Sequence, residues 1–253
     1  MCGRYAATLP PEMMVELFNL LNSVDMPARF NIKPTDPIVG IRHSKSQGGR
    51  VAGIYRWGLI PSFVKDPKAF ALLLNARAEG ILDKPSFRNA MKWDRAIIPA
   101  DGYYEWMVGT DGVKRPYYIH SAENAPMAFA GLVSTWRDAE GNETPTAAIV
   151  TTDPNLDISN LHDRMPAVLR GDAIDQWLDT ENVSPAEAAA LATAPPPGTM
   201  RYHAVSRAVG KVESEGADLV RPLTPAEIEA EDEAAAKPRR KKAAGGGGQL
   251  DLF

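Results

Sequence analysis

The one cysteine of this sequence is residue 2. Removal of Met1 would leave Cys2 with a free α-amine and a thiol on adjacent carbons. An α-amine titrates at about 7.7–8.0 and a lysine at about 10.4, so near neutral pH the terminal amine has a nucleophilic fraction larger by roughly two orders of magnitude. An aldehyde would react there first. The resulting imine lies within reach of the thiol, and a five-membered thiazolidine can close in an intramolecular step of large effective concentration. A small residue that simply permits loss of Met1 fits the position equally well.

Three other stretches carry polar groups suited to chemistry. In NARAE (75–79), alternation along a strand places Asn75, Arg77 and Glu79 on one face. That face is either solvated or lines a cleft, with Asn75 orienting a substrate and Arg77 gripping an anion. In PADGYYEW (99–106), Asp101-Gly102 reads as a turn. Tyr103 and Glu105 then face one side and Tyr104 and Trp106 the other. A carboxylate buried among aromatics has a raised pKa and suits a general acid or base; on an exposed strand it has no such role. HDRMP (162–166) gathers His162, Asp163 and Arg164 in a loop stiffened by Pro166. His43, His120 and His203 have no comparable polar company in the sequence.

The elements that must position these groups are legible at low resolution. PPEMMVELFNLLN (10–22) predicts a packing helix with Met14, Leu17, Phe18 and Leu21 on one face. From Ile38 to Val150 the chain becomes a series of short β-rich runs broken by Gly, Pro, Asn and Asp, which predicts a mostly antiparallel, barrel-like sheet. FALLL (70–74) reads as a buried strand running into NARAE, GDAIDQWLD and SPAEAAALAT as late helices, and RYHAVSRAV as a further strand. The expected class is α+β, a mixed domain built around that sheet with peripheral helices.

Composition limits the function. The 253 residues suffice for a substantial core, and 44% apolar with 24% charged residues is ordinary for a globular protein. No apolar run approaches a membrane span and no signal peptide is evident, so a cytoplasmic protein is expected. A single cysteine excludes an internal disulfide and a Cys-rich zinc site. Nothing points to a metal or an organic cofactor. A net charge of -4 argues against electrostatic coating of nucleic acid, so any such contact must be local.

Taken in order, MCGRY, WGLIPSF, NARAE, PADGYYEW, AGLVSTW, HDRMP and AVSRAV resemble the SRAP family, named for SOS response-associated peptidase. The resemblance spans residues 2–222 and implies a mixed α+β domain around a barrel-like antiparallel sheet. It implies recognition of abasic sites in single-stranded DNA and their capture as a DNA–protein crosslink; association with replication forks is expected from the C-terminal tail instead. Cys2 then corresponds to the crosslinking residue after loss of Met1, and Asn75, Glu105 and His162 to the family's catalytic Asn, Glu and His. Self-removal of Met1 and reversal of the crosslink, with Glu105 as proton carrier, are further implications. Arg4, Arg77 and Arg164 match phosphate-binding positions, and Asn31 lies in the matching segment RFNIKP. Where family members often carry paired tryptophans, this chain has Phe63-Val64, so one stacking surface is altered.

Beyond residue 222 the character changes. In TPAEIEAEDEAAAK, Thr224 and Glu227 have capping-box spacing for a short acidic helix, and a basic, glycine-rich linker fills the rest of 223–248. Residues 249–253, QLDLF, resemble the bacterial sliding-clamp binding motif, which assigns Gln249, Leu250, Leu252 and Phe253 to partner binding. Two alternatives keep Cys2 but change the class. A glutamine amidotransferase with an N-terminal cysteine would release ammonia, and a non-catalytic reader of modified bases would bind DNA reversibly.

Overall fold

The computed structural model describes residues 2–109 and 112–236. In chain order the elements are β1 (Tyr5–Ala7), α1 (Pro11–Phe18), β2 (Arg29–Ile32), β3 (Pro37–Ser44), β4 (Gly49–Trp57), β5 (Asn75–Arg77), α2 (Pro85–Trp93), β6 (Arg95–Ala100) and β7 (Gly102–Val108). There follow β8 (Lys114–Ser121), β9 (Met127–Arg137), β10 (Glu143–Thr152), β11 (Met165–Pro166), β12 (Val168–Leu169), α3 (Asp172–Leu178), α4 (Pro185–Leu191), β13 (Met200–Ala204) and α5 (Pro225–Ala236). Strands β10, β4, β3, β6 and β9 close into a barrel, because β9 pairs back onto β10 from Arg137–Glu143 to Gly131–Ile149. Within the barrel only the β10–β4 pairing is parallel. A second sheet, in the order β13-β8-β7-β1-β2, is joined to the barrel through the continuous β6–β7 segment. The α+β, barrel-like expectation is therefore met.

Strand alternation divides the apolar residues into two cores. Ile38, Trp57, Ala96, Ile98, Phe129, Val133, Ala147 and Ile149 pack with Tyr5, Tyr103 and Cys2. The intervening Val39, Ile41, Ile97, Ala130, Leu132, Ala148 and Val150 pack beneath the helices, against Phe87, Met91, Trp177 and Leu178. Glycines let the first set fit a narrow barrel: a Cβ on Gly40 would lie 2.7 Å from the Tyr55 ring, and one on Gly131 2.8 Å from Ile98.

Three local expectations are corrected. The first helix ends at Phe18, where Asn19 takes a left-handed conformation at φ 50°, so Met14 and Phe18 are buried while Leu17 and Leu21 remain exposed. FALLL is not a buried strand: Leu72 is exposed, Leu73 bridges Leu59, and pairing begins only at Asn75. The run RYHAVSRAV is a strand only to Ala204, after which Arg207–Gly210 form a 3-10 turn. Past residue 222, the Thr224–Glu227 capping pair forms as expected. Helix α5 is tied to the second sheet by Glu231 and Asp232, which meet Arg115 and Arg207.

Arg95 supplies a joint that no sequence pattern announces. It is 1% exposed and donates to four carbonyls: Met91 at 2.9 Å, Trp177 at 2.5 Å, Asp179 at 2.6 Å and Val183 at 2.9 Å. One guanidinium thereby satisfies the ends of α2 and α3 and the turn before α4 against the barrel. Replacing Arg95 with Met strands these acceptors. It should cost about 3 kcal/mol, read as a shift in the urea unfolding midpoint.

Candidate active site

Cys2 is completely buried, which is unusual for a residue next to a chain end. Three contacts hold it. Tyr5 pairs with Tyr103 across β1 and β7, and Tyr104 N donates to Arg4 O at 2.9 Å. Asn75 Nδ2 donates to Cys2 O at 2.9 Å. Asn75 is itself placed by the motif before it, since Trp57 Nε1 and Ile149 N both donate to the carbonyl of Leu74. Pairing of Asn75, Ala76 and Arg77 with Ile149, Val150 and Thr151 turns Ala76 inward and leaves Arg77 exposed.

Glu105 and His162 meet beside Cys2. Strand β7 behaves as its alternation predicts: Tyr103 packs with Cys2, whereas Tyr104 and Trp106 pack on the opposite face with Val205 and Val209. Glu105 is 5% exposed, and burial raises its carboxyl pKa against the opposing charge of His162. Its Oε2 lies 3.5 Å from His162 Nε2, a loose contact of the kind that tightens when substrate binds. The other ring nitrogen meets groups of both kinds: Arg164 N, which only donates, lies 3.0 Å from Nδ1, while the acceptors Arg164 O and Asp163 lie at 3.2 and 3.0 Å. Nε2 faces Glu105, and the imidazolium donates to Glu105 from Nε2 and to Asp163 or Arg164 O from Nδ1. Burial, followed by the charge of Glu105, also pushes the Cys2 thiol up, so the resting sulfur is protonated.

Two buried side-chain atoms at this site have no hydrogen-bond partner among the described residues: Asn75 Oδ1 and the hydroxyl of Tyr103. Orphans of this kind mark places where a ligand can complete the pairing. The grooves lined by Leu17, Arg50 and Met200 and by His43, Asp175 and Asn182 contain none of these residues. Among the described residues, no group of His, Cys, Asp and Glu has metal-binding geometry.

The residues expected to touch phosphate divide. The Arg77 side chain is exposed and makes no hydrogen bond or ion pair among the described residues. Phe63 is 59% exposed, on a segment anchored where Trp136 Nε1 donates to Val64 O. Its ring meets Phe70 edge-on. The other three are internally engaged. Arg164 is 7% exposed, bidentate to Glu79 at 3.0 Å, and also bonded to Asp153 and Thr151 O. Although burial opposes it, this pairing holds the Glu79 carboxyl below its usual range. Arg4 donates to Asn31 Oδ1 and Val209 O, both at 2.7 Å. Asn31, 1% exposed, donates in turn to Lys211 O and Ser214 O. A phosphate would have to displace these partners. Positions 249–253 lie outside the described residues.

Sequence reasoning missed Trp57 as the support of Asn75 and Arg95 as a joint. It also missed an aromatic cluster in which His120 and His203 lie 5.3 Å apart beside Tyr118. The placement of Tyr103 on the face of Glu105 was visible in the alternation, but its unpaired hydroxyl was not.

With this geometry in place, comparisons identify relatives. The sequence model of SOS response associated peptidase (SRAP) matches residues 1–212. The chain is 37% identical over 188 residues to "Abasic site processing protein YoqW" of Bacillus subtilis (strain 168), covering 73% of this chain and 83% of the relative. It is 30% identical over 231 residues to "Abasic site processing protein YedK" of Escherichia coli (strain K12), covering 88% and 100%. A crystal structure of a protein from Bacteroides thetaiotaomicron superposes with a TM-score of 0.78 at 26% identity, covering 88% of this chain and all of that one. Among the described residues, no helix is long and apolar enough to cross a membrane.

Proposed function

This chain belongs to the SOS response associated peptidase (SRAP) family, and from that premise we propose that it processes abasic sites in single-stranded DNA by capturing them covalently on Cys2. The observation that carries the reading is the convergence of Cys2, Asn75, Glu105 and His162 from four separate segments, with Asn75 bonded to the Cys2 carbonyl. Relatives named abasic site processing proteins support the substrate class.

The chemistry then follows in order. Loss of Met1 frees the amine of Cys2; self-cleavage by this site, with Glu105 moving the proton, is the peptidase reading of the family. An abasic deoxyribose is mostly a closed hemiacetal. The Glu105 carboxylate takes the C1′ hydroxyl proton as the C1′–O4′ bond opens, and O4′ leaves as a hydroxyl with a proton from His162. The Cys2 amine condenses with the C1′ aldehyde; Glu105 gives its proton to the departing water, which leaves an iminium and a free Glu105 carboxylate. The thiol closes on the same carbon, giving the thiazolidine. Asn75 holds the Cys2 carbonyl through Nδ2 and receives a sugar hydroxyl at Oδ1. Arg77 takes a flanking phosphate and Phe63 offers a face for a base, which keeps DNA contact local on an acidic protein. Arg4, Arg164 and Asn31 brace the N-terminal strand and the His162 loop, and any phosphate contact they make is shared with those bonds.

The tail supplies a partner. Through Gln249, Leu250, Leu252 and Phe253, QLDLF would dock in the groove of a bacterial sliding clamp, bringing the domain to replicating DNA. Clamp binding should disappear on truncation after Gly248; retention in a direct binding assay would remove this assignment.

Incubation with single-stranded DNA carrying one abasic site, followed by denaturing electrophoresis, tests the central reading. Wild type should run as a covalent adduct. Cys2→Ala keeps an amine without a thiol, so it should stall at the imine and shift the outcome toward strand cleavage by β-elimination. A full yield of stable adduct from that variant contradicts the thiazolidine.

The raised Glu105 pKa sets a pH dependence. The base form is lost as pH falls through that value, so the acid limb of the capture rate should lie above the ordinary Glu range of about 4.3. Glu105→Gln should slow capture by roughly 100-fold or more and abolish the limb. An unchanged limb in the variant assigns it to another group.

A further inference from the structure

Tyr103 is the buried polar side chain at this site to which the chemistry above gives no task. It is fully buried, yet its hydroxyl has no hydrogen-bond partner among the described residues. Burying an unpaired hydroxyl costs free energy that phenylalanine at the same position would avoid. Packing alone therefore does not explain a tyrosine here. On β7 it shares a face with Glu105, two residues on, and it packs in the cluster that contains Cys2. Its ring meets Phe129 edge-on at 6.0 Å, which fixes the plane from which the hydroxyl projects.

The sulfur of Cys2 has the complementary need. Its recorded contact is with the carbonyl of Arg4 at 3.9 Å. A carbonyl accepts from a thiol but repels a thiolate, so this contact turns unfavourable as the thiol gives up its proton. Ring closure passes through that change: the C1′–S bond forms, the iminium π pair moves onto the Cys2 nitrogen, and the thiol proton passes to Glu105. Asn75 Nδ2, a nearby donor, is already committed to the Cys2 carbonyl.

We propose that Tyr103 is a positioning residue for the sulfur step, its hydroxyl donating a hydrogen bond to the Cys2 sulfur as negative charge develops there. This rests on the covalent-capture reading above. The phenol remains a donor throughout, because burial, followed by the nearness of the ionisable groups of Cys2 and Glu105, holds its pKa well above the usual value.

Tyr103→Phe keeps the ring and removes only the donor. With single-stranded abasic DNA, imine formation, trapped by borohydride, should proceed at the wild-type rate. Closure to the borohydride-resistant thiazolidine should slow about tenfold, the size of one hydrogen bond to a charged atom, with its pH profile displaced upward and more strand cleavage. A purely structural role would instead lower imine formation and the melting temperature together. Alkylation of Cys2 by iodoacetamide without DNA gives a second readout, and its pH profile should shift upward in Tyr103→Phe. Isosteric 3-fluorotyrosine at position 103, a stronger donor, should shift both profiles downward. Wild-type closure and alkylation profiles in Tyr103→Phe overturn the proposal. Absence of any adduct with wild-type protein overturns the capture reading itself.

Discussion

The burial of the second residue of the chain is the constraint from which the rest of this structure follows. A terminus is ordinarily free to sample many conformations, and ordering it costs entropy. Here the cost is met by strand pairing through Tyr5 and Tyr103, by the bond from Asn75 to the Cys2 carbonyl, and by packing in the barrel core. The consequence for the proposed chemistry is that, once Met1 is lost, the amine and thiol of Cys2 would be held in place rather than carried on a frayed end.

Around that fixed end the ionisable groups are arranged by what each faces. Glu105 is buried enough to hold its proton more tightly than an exposed carboxylate, and His162 Nε2 faces it at 3.5 Å. The backbone of Arg164 meets the other ring nitrogen, while its side chain, clamped between Glu79 and Asp153, secures the loop that carries the histidine. A single residue thus joins β5, β10 and the His162 loop. Glu79, the last acidic residue of NARAE, is the other half of that brace.

The two sheets divide the work. The barrel, covered on its outer face by helices and stapled by Arg95, is the rigid body that carries Asn75 through Trp57 and Leu74. The five-stranded sheet carries Cys2's strand and Glu105, and it is clasped by α5 through the ion pairs of Glu231 and Asp232 with Arg115 and Arg207. The site lies where the two meet, at the continuous β6–β7 segment. Geometry at such a junction is set by both bodies, which suits the proposed reaction with its groups from four segments.

Much of this is legible in the chain itself. Cys2 stands out by type and position. Period-2 alternation separates Tyr103 and Glu105 from Tyr104 and Trp106, and the turn residues between β-rich runs announce the sheet. Those signals are local, and local sterics and hydrophobic periodicity suffice to write them. The outcomes that only the tertiary structure decided involve partners far apart in sequence. The cations at 4 and 164 and the amide at 31 turned inward because carboxylates and carbonyls brought by distant segments were there to meet them. FALLL meets the cores only through the partly buried Leu73 and Leu74, with Leu72 left exposed. The fold also left the Tyr103 hydroxyl without a mate, since pairing of a buried polar atom depends on everything that surrounds it in three dimensions.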